Sequence, residues 1–179
     1  SPGYEVPIIV LGTATLVYPF SYYAPRILPP LLTFFGATER TEAIWSILLG
    51  RLIGFVVLGP IPAIVAILFL PPSPNRYGLN LQDYSISLIA SAAVCLIVGT
   101  ILYLGYKIWP ASLKGYPEIN VECWDRQLLT LNTLSWIIYL SGYEFFFRGF
   151  MLYPLAEHFG SWPSILVTTA LYAYTHLVK

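Results

Sequence analysis

The sequence predicts an all-α fold, a polytopic bundle of transmembrane helices, and three observations predict it. Of 179 residues, 57% are hydrophobic and only 10% charged, against about 25% charged in an ordinary soluble domain. A chain this short cannot hide that much apolar side chain in one soluble core, because small domains bury only part of their surface. The excess is best placed against lipid, and the mean hydropathy of +0.70 agrees. Third, the 14 Tyr and 5 Trp suit two interfacial belts of amphipathic rings.

The length suits a single membrane domain over residues 1–179. Its first span is read at 7–23, an uncharged run at the short end of what crosses about 30 Å of hydrocarbon. Pro19 bends or ends it. The stretch 24–42 reads as an interfacial segment, a short amphipathic helix lying at the surface, or as an ordinary loop, because Pro29–Pro30 and the polar end at Thr38–Glu42 argue against a long helix. The second span, 43–70, holds Arg51 near its start and a Gly59–Pro60–Ile61–Pro62 kink. A charge there is costly unless it snorkels or pairs, and its position favours snorkelling. Pro71 to Gly78 then breaks the chain.

The third span, 85–106, is free of charge, and Ala90, Ala92, Ala93 and Gly99 permit close helix approach. Cys95 within it reads as buried packing. The fourth span is 127–156 and the fifth 161–178, with Trp162 and Pro163 at its interfacial start. With five spans, Arg26, Arg40, Lys107, Lys114, Arg126 and Lys179 share one side and Arg76 takes the other. That asymmetry predicts a non-cytoplasmic N-terminus in a prokaryotic-type inner or plasma membrane. Zero net charge and the lack of a basic stripe make nucleic acid a poor partner. The lipid bilayer is the first partner, followed by other membrane proteins or a hydrophobic peptide.

Glu144 and Arg148 are the most informative residues. Four apart in one apolar helix, they share a face. Isolated charges in lipid are expensive, so mutual pairing or a polar interior is the natural escape. Such a pair either locks helices together or marks chemistry. Phe146 sits about 200° around the helix from Glu144 and cannot join that face. On the next helix, His176 is a base, a hydrogen-bond donor, a metal ligand or a plain interfacial residue. Tyr172 is one turn before it. The pattern is compatible with a polar cluster where the two helices meet. Glu157 and His158, in the turn between them, read as facing solvent or headgroups. Two residues, His176 and Glu144, are too few for a zinc site, which takes three protein ligands or more. No metal or cofactor is therefore expected.

The stretch Tyr143–Gly149, YEFFFRG, followed by Tyr172–His176, YAYTH, resembles the CAAX prenyl-endopeptidase and bacteriocin-processing (CPBP, or Abi) family of intramembrane proteases. That family carries EExxxRG in one membrane helix, FxxxH in the next and HxxxN or HxxxD in a later one. The match covers residues 141–179, and Arg76–Leu79 is similar to a GL element of the family. The resemblance implies a protease-like helical bundle. It implies that Glu144 matches the second Glu, Arg148 the Arg and His176 the first catalytic His. Tyr143 stands where the family has the Glu that activates water. A tyrosine, with a pKa near 10, is a poor carboxylate base at neutral pH, and no third motif follows before Lys179. The expectation is a non-catalytic member serving as a structural or partner-binding subunit. The alternative is an active endopeptidase that cuts membrane-proximal or prenylated peptides through Glu144 and His176.

Overall fold

The computed structural model describes residues 4–72, 76–78, 84–108 and 118–177, without the side chains at 76, 84, 86, 87 and 174–177. Every regular element among these residues is helical. By contacts the chain divides into two compact units, 1–79 with 121–179, and 80–120. Among the described residues, three helical segments are long and apolar enough to cross a membrane: Glu5–Phe34, Glu39–Phe69 and Leu88–Ile108.

In the larger unit, α1 is Glu5–Tyr23, followed by a 3-10 turn at Ala24–Ile27 and α2 at Leu28–Phe34. Pro19 lies inside α1 and does not end it. The Pro29–Pro30 pair does not break the chain either. The prolines occupy the first turn of α2, where a backbone N–H has no intrahelical acceptor to lose. The helix they open is short, seven residues, and the chain turns at Gly36, which adopts φ 83°. Thr38 then caps α3, Glu39–Leu58, by accepting from the Thr41 N–H.

The predicted kink is present. Gly59 takes φ −105° and ψ −84°, and α4, Pro60–Phe69, starts with proline in its first turn. The kink sits where backbones nearly touch. A Cβ on Gly59 would lie 2.9 Å from the Phe55 carbonyl oxygen, and one on Gly142 would meet the Phe55 ring at 3.0 Å and that same oxygen at 3.1 Å. Small residues here let α3 run against α6, Arg126–Glu144.

Arg51 corrects the snorkelling expectation. It is buried, 7% exposed, and points at α6. Its Nη1 donates to Asn132 Oδ1 and to Ser135 Oγ, both at 2.8 Å. Its guanidinium carbon also stands 4.3 Å from the centre of the Trp136 ring. A neighbouring helix can satisfy a cation at lower cost than a long reach to water.

Asp125 caps α6 through the Leu128 N–H at 2.7 Å. The helix then widens into a π segment, Phe145–Leu152, and continues as α7, Tyr153–Phe159. Gly160, at φ 84°, turns the chain into α8, Ser161–Leu177. The stretches expected as fourth and fifth spans are thus helical. Neither is among the three long apolar segments, for α6 carries Thr130, Asn132, Thr133, Ser135 and Ser141, and α8 has 17 residues. The core of this unit gathers around the π segment, with Phe146, Phe147, Phe150 and Met151 buried against Val10, Ala14, Leu58 and Ala66.

The smaller unit contains α5, Tyr84–Ile108. Large apolar side chains from Leu88 to Ile108 are exposed all along it, which suits lipid and would be costly in water. Cys95 is exposed and not buried as the sequence suggested.

Candidate functional site

The candidate site is built where α6 gives way to the π segment. Proline explains the change of winding. Pro154 has no N–H to donate to the carbonyl four residues back, so the α-helical ladder cannot continue through it. Just before it, the Tyr153 N–H bonds the Arg148 carbonyl, five residues back. Such widened turns occur frequently at functional sites.

Gly149 adds a second constraint. A Cβ there would stand 2.8 Å from the Phe145 ring and 3.0 Å from the Tyr77 carbonyl oxygen. The 3-10 turn Arg76–Gly78 thus presses on the wide turn. Tyr77 holds φ 54° and ψ 32°, in the left-handed region, and Gly78 holds φ 75°. A Cβ on Gly78 would come within 2.5 Å of the Tyr153 ring. The turn at residues 76–78 and the wide turn that holds Phe145 to Gly149 are thus brought together here.

Glu144 and Arg148 pair as expected, Nε to Oε2 at 2.8 Å. The Arg148 side chain is 72% exposed and that of Glu144 43%. Phe146, at 1% exposure, faces the core on the other side. The contact with α8 is aromatic. Tyr143 is buried, with its ring 5.4 Å from Tyr172, 4.9 Å from Phe147 and 5.9 Å from Tyr139. Tyr172 also packs edge-on against Phe147 at 5.3 Å. One residue of helix is about 100° of rotation, so burying Tyr143 against α8 turns Glu144 outward. His176 falls within α8, but its side chain lies outside the described residues.

A half-open cavity of about 180 Å³ is lined by Tyr77, Glu157, His158, Leu70 and Val6. It does not include Glu144 or Arg148. Glu157 and His158 are exposed as expected, and the His158 ring lies edge-on to Phe159 at 4.6 Å and tilted against Tyr4 at 6.1 Å. Burial first, then the Glu157 carboxylate, raises the pKa of the Tyr77 hydroxyl above its ordinary value. Among the described residues, no three His, Cys, Asp or Glu side chains gather to hold a metal ion.

Sequence reasoning missed the π winding, the pressed Tyr77 turn and the Arg51 clamp. Pro154, inside an otherwise continuous helical pattern, was the available signal for the first. Compared with family models, curated proteins and solved structures, the chain finds no match.

Proposed function

We propose that this chain is a non-catalytic membrane protein of the CPBP protease kind, acting as a structural or partner-binding subunit. The observation that carries the reading is Tyr143. At the position where the resemblance calls for a water-activating carboxylate, the chain has a phenol buried in an aromatic cluster with Tyr139, Phe147 and Tyr172. A phenol, with an ordinary pKa near 10, is a poor proton acceptor at neutral pH. The adjacent carboxylate, Glu144, is turned outward and held by Arg148. Catalytic groups tolerate displacements of only about 1 Å before losing roughly a hundredfold in rate, so Glu144 is a poor substitute. The proposed topology has five spans and a non-cytoplasmic N-terminus, in an inner or plasma membrane.

The intact Glu144–Arg148 pair favours one second reading, an active intramembrane endopeptidase. One experiment separates the two. The full-length protein, reconstituted in lipid vesicles, is incubated with prenylated and unprenylated membrane-proximal peptides. The subunit reading expects no cleavage above vesicle background. Cleavage that disappears in Glu144→Gln and His176→Ala would overturn it in favour of the protease.

A further inference from the structure

The depth of the Glu144–Arg148 pair has a consequence for what binds it. Between Glu5 and Arg26 the first helical segment carries no charge. At 1.5 Å per residue that is roughly 31 Å, the thickness of a bilayer's hydrocarbon core. Tyr18, on this segment, packs against Phe146 and Phe147, with ring centres 6.4 and 5.9 Å apart. Both phenylalanines lie between Glu144 and Arg148. Tyr18 is roughly 20 Å along the helix from Glu5 and roughly 12 Å from Arg26. The ion pair therefore sits well inside the apolar layer, beyond the reach of phosphate headgroups, while 72% of the Arg148 side chain and 43% of that of Glu144 face outward.

A neutral ion pair in hydrocarbon still has hydrogen bonds to make. Arg148 meets Glu144 through Nε, and a guanidinium has five N–H donors, more than one carboxylate takes up in that geometry. Glu144 binds through Oε2, and its other oxygen accepts as well. The pair presents donors and an acceptor side by side with no net charge. A primary amide matches this on one planar group: its C=O accepts from Arg148 and its NH2 donates to Glu144. A carboxylate would match only the arginine and would leave a net negative charge in lipid.

We infer that the Glu144–Arg148 face docks a partner transmembrane helix bearing an Asn or Gln side chain at mid-membrane depth. This rests on the subunit reading above and names the chemistry of the partner. Interhelical polar contacts in membranes contribute enough for an affinity gain of about three- to thirtyfold.

The test uses fluorescent polyleucine helices with a central Gln, Glu or Leu. Their energy transfer to the labelled full-length protein is followed in phosphatidylcholine vesicles, at dilutions where the probes alone are monomeric. The Gln probe is expected to bind about three- to thirtyfold tighter than the Leu probe, and Arg148→Leu to abolish that preference. Glu144→Gln supplies a gain that misfolding cannot mimic: with Arg148 left as an unmatched cation, preference should move to the Glu probe. Equal binding of Gln and Leu probes to the native chain would overturn the inference. So would Glu binding tighter than Gln to the native chain, or Arg148-dependent self-association that excludes the probes, which would make a second copy the occupant. Loss of the Gln preference without peptide cleavage sinks this inference alone. Cleavage dependent on His176 sinks the subunit reading whatever the probes do.

Discussion

Asn132→Leu tests whether Arg51 is a clamp between α3 and α6. The substitution removes the side-chain oxygen that accepts from Arg51 Nη1 at 2.8 Å. It leaves the Ser135 hydroxyl at 2.8 Å and the Asn132 carbonyl at 3.4 Å. Hydrogen bonds to charged groups contribute about 1.5–3 kcal/mol, whereas polar contacts between membrane helices average about 0.6 kcal/mol. Arg51 is only 7% exposed, so water cannot readily replace the lost acceptor, and a loss of about 2 kcal/mol is expected. Removing the cation as well should recover part of it. A buried ion replaced by an apolar side chain of similar volume is often tolerated, while a buried charge stripped of a partner is not. Arg51→Met in the Asn132→Leu background is therefore expected to regain about 1 kcal/mol. The assay is reversible unfolding in mixed micelles by SDS titration, read as a double-mutant cycle. The reasoning fails if Asn132→Leu stays within about 0.5 kcal/mol of the native protein, or if the double variant is less stable than Asn132→Leu alone.

Three further outcomes follow from the same packing. Phe150→Ala empties a fully buried site beside the wide turn, and a loss of about 3–5 kcal/mol in the same unfolding assay is expected. Gly78→Ala places a methyl 2.5 Å from the Tyr153 ring on a residue at φ 75°. It should cost about 2 kcal/mol, with Tyr153→Ala in that background relieving the steric share. The Tyr77 hydroxyl has its folded pKa raised above the ordinary 10.0. The folded state therefore holds its proton more tightly, and the stability is complete below pH 10 and is lost as pH rises through the folded value. Thermal unfolding from pH 9 upward should show a steeper alkaline decline in the native protein than in Tyr77→Phe, and equal slopes would refute the assignment.

Features governed by residues close in sequence were the legible ones. The Gly59 kink follows from two nearby prolines, and the Glu144–Arg148 pair from a four-residue spacing. Pro29–Pro30 argued against a long helix, and the pair stands in the first turn of a helix of seven residues, where proline is accommodated. It was Arg51 that misled. Its acceptors lie 81 and 84 residues later, and nothing near Arg51 announces them. The site was legible in its residues and not in its facing. Tyr143, Glu144 and Tyr172 were all singled out, yet which of the first two meets α8 depends on helix rotation. The ring contacts settle that rotation: Tyr139 packs on Tyr143, and the Tyr143 and Phe147 rings gain more from packing on Tyr172 than a paired carboxylate would.

The widened turn at Phe145–Leu152 has one more consequence, for how this chain tolerates change in length. A π turn holds about one residue more than an α-helix needs over the same stretch. Deleting one residue there would be absorbed by tightening the coil, so the residues after it would keep their angle about the helix axis and Glu157 and His158 would still line the cavity with Tyr77. The same deletion in the regular coil of α6 has no slack to draw on and would turn the residues on one side of it by about 100° against those on the other. The wide turn thus works as slack, the one stretch of this long helix where a lost residue leaves the last part of the chain still facing the first.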